Sequence, residues 1–88
     1  MYYVYVLTNG KETYVGYTTD LKQRLFSHQQ GFKKMSFTAR KGKDNLWRLA
    51  YYEAYQSKQD ARGREAKLKH YGQSWKHLKN RIEESLVL

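Results

Sequence analysis

Two short runs of strand-forming residues on either side of Asn9-Gly10 constrain the fold of this chain more than any other feature. Tyr2 to Leu7 (YYVYVL) is entirely β-branched, aromatic or Leu. That composition predicts a strand apolar on both faces and therefore central in its sheet. Thr13 to Tyr17 (TYVGY) predicts a second strand, and Asn-Gly between two such runs is the strongest short hairpin signal. With a two-residue turn, Thr8 pairs with Lys11 and Tyr5 lies directly opposite Tyr14, the two Cβ atoms about 5 Å apart. Such a tyrosine pair commonly does no more than pack a sheet, and a longer turn changes the register.

The rest of the chain alternates helix and strand signals. Asp20 or a neighbouring Thr caps a predicted helix over about residues 20 to 30, with Leu21, Arg24, Leu25 and His28 on one side and Gly31 as its stop. Residues 32 to 46 (FKKMSFTARKGKDNL) have no period and read as a basic loop with two Phe. Leu46 to Tyr55 (LWRLAYYEAY) predicts a third strand, with a helix as competitor. Ser57 to Asp60 has the form of a capping box and opens a helix of about 58 to 71. Ser74 is the expected cap of a last helix, with Trp75, Leu78, Ile82 and Leu86 as its apolar stripe. The expected fold is α+β, a small three-stranded antiparallel sheet flanked by helices in the order β-β-α-(loop)-β-α-α.

Length and charge narrow the class of function. The 88 residues suit one domain, 1–88, with a thin core. The chain has no Cys, which excludes disulfides and thiolate metal sites. No run of about 18 apolar residues exists to span a membrane. The start, MYYVYVLTNG, lacks the basic region and cleavage site of a signal peptide, so a cytoplasmic location is expected. The formal net charge is +9, and nine residues are Tyr. A strongly basic small domain points to a polyanionic partner. Lys and Arg are spread through the whole chain rather than along one amphipathic helix, which favours nucleic acid over a membrane surface.

Several residues fall where they could carry chemistry. Arg24 and His28 share the side of the first helix that carries Leu21 and Leu25. An Arg there snorkels to solvent or holds a phosphate bidentately, and a lone His is more often structural. On the second helix Ala61, Glu65 and Leu68 share a stripe, so Glu65 occupies a core-facing position. A carboxylate there needs a partner, either an Arg or Lys or a hard divalent cation. No Ser-His-Asp arrangement, phosphate-cradling Gly-rich loop, zinc-ligand spacing or carboxylate pair competes with this set. A one-metal phosphodiesterase suits two Tyr, one Arg, one His and one Glu. In it Glu65 holds Mg²⁺ (or Mn²⁺), Arg24 stabilises charge on the phosphate, and a Tyr or His takes the proton of the attacking water.

These residues, in this order, resemble the GIY-YIG nuclease domain, and the small stand-alone bacterial members in particular. Tyr3-Val4-Tyr5 stands where the family has GIY, and Tyr14-Val15-Gly16 where it has YIG. Arg24 and His28 follow within YVGYTTDLKQRLFSH, and DARGREAKLK places Glu65 at the family's metal-binding glutamate. The likeness covers about residues 2 to 82. Tyr3 replaces the first Gly, and Val replaces Ile in both motifs. The resemblance implies a metal-dependent endonuclease (a hydrolase) acting on DNA or other nucleic acid. It implies that Tyr5 and Tyr14 orient or deprotonate water, that Arg24 binds the scissile phosphate, that His28 assists proton transfer and that Glu65 coordinates the metal. Asn80 is a weaker match to an Asn that some members use.

Around this set, Lys33, Lys34, Arg40, Lys41, Lys43 and Arg48 are expected to form a basic nucleic-acid-binding rim, with Phe32 and Phe37 either stacking on bases or packing the loop. Binding should then fall steeply with salt. Two rival readings keep the charge and discard the chemistry. One is a non-catalytic nucleic-acid-binding module, for structured RNA or DNA, with Glu65 in a structural ion pair. The other is an interaction domain for an acidic protein.

Overall fold

The computed structural model describes residues 1–30 and 47–87, with the side chains of residues 27–30 left aside. The expected rim residues Lys33, Lys34, Arg40, Lys41 and Lys43, together with Gly31, Phe32 and Phe37, lie outside the described residues. The elements are β1 (Tyr2–Thr8), β2 (Thr13–Thr18), α1 (Leu21–Gln30), β3 (Arg48–Tyr55), α2 (Lys58–His70), α3 (Gly72–Arg81) and the short α4 (Glu83–Leu86). The sheet is antiparallel with strand order β2-β1-β3, so the strand apolar on both faces is the central one.

The hairpin forms, but its register differs from that of a two-residue turn. Thr8 pairs with Thr13, Leu7 with Tyr14 and Tyr5 with Gly16. The cause is the Asn9 side chain. Its Oδ1 accepts hydrogen bonds from the amides of Lys11 (2.8 Å) and Glu12 (2.7 Å), while the Asn9 amide donates to the Glu12 carbonyl at 3.3 Å. Asn side chains readily close turns in this way. Gly10 follows at φ 94, a conformation that costs glycine little. The loop is thus four residues long and moves the register by two. Because strand side chains alternate with period two, a shift of two leaves every side chain on its expected face. Tyr5 and Tyr14 remain on one face, as diagonal neighbours rather than direct partners.

Each face of β1 has its own core. Val4 and Val6 pack with Ala61 and Leu68 of α2, Leu78 of α3 and Ile82, and with Trp75 and Leu86 beside them. On the other face Tyr5 and Leu7 pack with Trp47, and with Leu21 and Leu25 of α1. A break in pairing between Val6 and Leu7 leaves Ala50 unpaired and lets Leu49 join the second core.

The helix caps match the sequence in two cases and differ in one. Asp20 caps α1 through its carboxylate, 3.1 Å from the Gln23 amide, and Ser57 caps α2 through the Asp60 amide at 3.2 Å. Ser74 lies inside α3, which starts at Gly72 directly after Tyr71 with no side-chain cap. The expected last helix is also interrupted at Ile82, although its apolar stripe still reaches the core. Among the described residues, no helix is long and apolar enough to cross a membrane.

Candidate active site

The candidate site begins with a glycine. Gly16 sits opposite Tyr5 on the edge strand β2, and the Tyr5 ring lies directly across it. A Cβ on Gly16 would come within 2.4 Å of the Tyr5 Cζ and hydroxyl, far inside contact distance. A glycine in a strand often marks such a close approach. It lets the Tyr5 phenol run across β2 toward the edge of the sheet, where three other predicted residues meet it.

Tyr14 is the first, with ring centroids 6.3 Å apart at 44°. Arg24 of α1 is the second, near enough to act on the Tyr5 phenol. Glu65 of α2 is the third, close enough for its charge to act on the same phenol. Helix α1 packs on the Tyr5 face and α2 on the Val4 face. The site therefore lies where both helical layers reach the β2 edge. Tyr5 is fully buried, Tyr14 half-buried and Arg24 exposed. Burial pushes the Tyr5 phenol well above its ordinary value, and Tyr14 adds to the rise; the Arg24 charge and hydrogen bond oppose it, and the Glu65 charge raises it further.

Glu65 is less engaged than its core-facing position implied. Its side chain is 19% exposed, and among the described residues its ion-pair partners are both on its own helix: Lys69 at 3.0 Å and Arg62 at 4.0 Å. The Lys69 ammonium also sits 5.7 Å from the Tyr14 ring centroid, and the Arg62 guanidinium lies 5.1 Å from that of Tyr17. Lys69 and Gly16 were not singled out as site members in the sequence, although each had a signal and Gly16 was matched to the last position of YIG. Lys69 follows Glu65 at the i,i+4 spacing of helical ion pairs, and Gly16 interrupts an otherwise bulky strand.

The remaining predicted residues are placed as follows. His28 lies on α1 one turn beyond Arg24. Asn80 is exposed near the end of α3, beside a shallow depression shared with Arg81, Glu83 and Glu84, none of them part of the group at the β2 edge. Arg48, expected on a basic rim, donates from Nη2 to the Val87 carbonyl at 2.6 Å and so ties β3 to the last residues of the chain.

A second polar cluster, absent from the sequence reading, lies on the opposite face. Tyr51, Glu53 and Tyr55 alternate along β3 and point toward α2. Glu53 accepts from the Tyr51 hydroxyl at 2.6 Å, from the Tyr55 hydroxyl, and from Arg64 Nε and Nη2, each at 3.0 Å. Burial alone would raise the Glu53 carboxyl, but hydrogen bonds from Arg64, Tyr51 and Tyr55 outweigh it and hold the group below its ordinary value.

As a metal site, the β2 edge offers one carboxylate and neighbouring phenols. Among the described residues no three His, Cys, Asp or Glu cluster at metal-binding distance. That donor set does not suit a protein-caged zinc or calcium ion. It fits a hard cation that keeps most of its own waters, as Mg²⁺ does.

Comparison with known proteins agrees with the motifs. Residues 1–80 match the GIY-YIG catalytic domain. UPF0213 proteins of Streptococcus pyogenes serotypes M5, M2 and M28 are each 43% identical over 68 residues, covering 76% of this chain and 70% of the relative. Their names state no activity, and no solved structure gives a significant match. The chain belongs to the GIY-YIG family, whose catalytic domain implies an endonuclease acting on nucleic acid and generally dependent on a divalent metal.

Proposed function

We propose that this protein hydrolyses phosphodiester bonds in DNA at the β2 edge, with Tyr5, Tyr14, Arg24, His28 and Glu65 as its working residues and Mg²⁺ or Mn²⁺ as its metal. The observation that carries the reading is the convergence of Tyr5, Tyr14, Arg24 and Glu65 from four separate elements on one edge. Glu65 would hold the cation, which when bound polarises a phosphoryl oxygen and stabilises the leaving oxygen. The exposed Arg24 guanidinium binds the scissile phosphate, with the Tyr5 phenol beside it. Ionising even an ordinary phenol at pH 7 costs about 4 kcal/mol, and burial makes Tyr5 harder still to ionise. Tyr5 therefore acts as a neutral positioning group. Proton removal from the attacking water falls to Tyr14 or His28, the latter being of a type that titrates near neutral pH.

One observation favours the second reading, a non-catalytic nucleic-acid-binding module: the ion pair of Glu65 with Lys69. Partly exposed pairs of this kind contribute only about 0.2–1 kcal/mol, so a divalent cation displaces the lysine at little cost. The test is cleavage of labelled duplex, branched and single-stranded DNA, with RNA alongside, in Mg²⁺ and in EDTA. Cutting only with metal supports the endonuclease. Tight, salt-sensitive binding across the panel with no cutting supports the binding module instead.

A further inference from the structure

The geometry points to a seat for an unpaired nucleobase beside the site, formed by the Tyr3–Tyr52 ring pair and the start of α1. The inference rests on the nuclease reading and sharpens its substrate to nucleic acid with an unpaired base next to the cut. The two rings meet edge to face, centroids 6.0 Å apart at 62°, and Tyr52 is 51% exposed, a large fraction for a sheet tyrosine. Together with the half-buried Leu21 and Leu25 and the exposed Thr19 and Lys22 they line one depression. Asp20 also lines it, with its carboxylate engaged in capping the Gln23 amide.

Three observations argue for a base as the occupant. The seat shares a sheet face with Tyr5: Tyr52 pairs directly with Tyr5 across β1 and β3, and Leu21 and Leu25 pack in the same cluster as Tyr5. Tyr3 lies two residues before Tyr5 on the same face, about 7 Å along the strand. The chemistry also suits: an open aromatic face and the two leucines take a base, while Lys22 and the net charge of +9 favour the attached phosphates. Finally, the ring belongs to this chain rather than to the motif, since Tyr3 stands where GIY has glycine. A paired base presents no free face, so stacking selects an unpaired one.

The test measures binding, in EDTA so that nothing is cut. A fully paired duplex is compared with a fork of the same sequence that carries 2-aminopurine in its unpaired arm, by anisotropy and by quenching. The proteins are wild type, Tyr52→Leu, Tyr3→Leu and Tyr52→Phe. Wild type should quench the 2-aminopurine. Each Leu variant should lose roughly tenfold affinity for the fork, in line with base–aromatic stacking, while its duplex affinity is unchanged. Tyr52→Phe keeps the ring and should behave as wild type, which separates stacking from loss of fold. If both Leu variants bind fork and duplex as wild type does, the seat is refuted and the nuclease reading stands. If wild type binds neither, both fall.

Discussion

Two clusters, one on the α2 face of the sheet and one at its β2 edge, carry nearly the same set of reactive side chains and differ in how those side chains are bonded. On the α2 face, Tyr51, Tyr55 and Arg64 surround Glu53. At the β2 edge, Tyr5, Tyr14 and Arg24 stand near Glu65. The two glutamates are about equally covered, at 15% and 19% side-chain exposure. They differ in their bonding. Glu53 is saturated by two phenols from its own strand and a bidentate arginine from the helix above. Among the described residues the partners of Glu65 are Lys69, 38% exposed, and Arg62, 59% exposed. Saturation locks a carboxylate into the fold, whereas partners that step back into water leave it able to exchange one cation for another. Neither residue type nor burial separates the structural cluster from the candidate site here; the identity of the bonding partners does.

This contrast can be broken in several ways, beginning with the largest expected effect. Arg24→Ala should lower the cleavage rate by about 10²–10³, as loss of a charge-stabilising donor does elsewhere, with little change in melting temperature. Multiple-turnover kinetics on the best panel substrate would measure it, and a loss below tenfold would remove Arg24 from the scissile phosphate. Glu53→Gln should do the reverse. Removing a charge that accepts several hydrogen bonds should cost roughly 2–3 kcal/mol of stability, read by urea unfolding. Gly16→Ala should cost about 1–3 kcal/mol, because the new Cβ drives the Tyr5 ring from its place. It should also slow cleavage, so it joins the two readouts that the first two variants keep apart.

The smallest effect is the dependence on acid. The Glu53 carboxyl sits below its ordinary value of 4.5 in the folded protein. A depressed folded value means that its stabilisation is fully present above 4.5 and is lost as pH falls through the lower, folded value. Melting temperatures taken from pH 7 to pH 3 should drop at the acid end, and Glu53→Gln should flatten that limb. An unchanged acid limb in the variant would place the lost stability elsewhere.

Much of this was legible in the sequence, and the exceptions have physical causes. The all-apolar YYVYVL run marked the central strand because only a doubly covered strand needs both faces apolar. Tyr5 and Tyr14 were expected directly opposite each other on the condition of a two-residue turn; the turn is longer, but the shift is even, so they keep a common face without being partners. The register itself was hidden in the Asn9 side chain, whose two hydrogen bonds to Lys11 and Glu12 lengthen the loop. The apolar stripe of the last helix was readable, but the break at Ile82 was not, because the stripe continues through it. Glu65 was flagged as a carboxylate at a core-facing position, a local pattern. Glu53 escaped notice because its partner Arg64 lies eleven residues away on another element, and no local pattern joins them. The packing of Tyr5 on Gly16 is likewise a contact between strands.

The most direct test of the central claim is to compare Glu65→Gln with Glu53→Gln, measuring cleavage in Mg²⁺ at a temperature where both proteins are folded. The two substitutions are chemically identical and fall on equally covered glutamates. Glu65→Gln should abolish cutting while nucleic-acid binding in EDTA persists, and Glu53→Gln should cut at close to the wild-type rate. Equal loss in both, or activity retained by Glu65→Gln, would contradict the central claim.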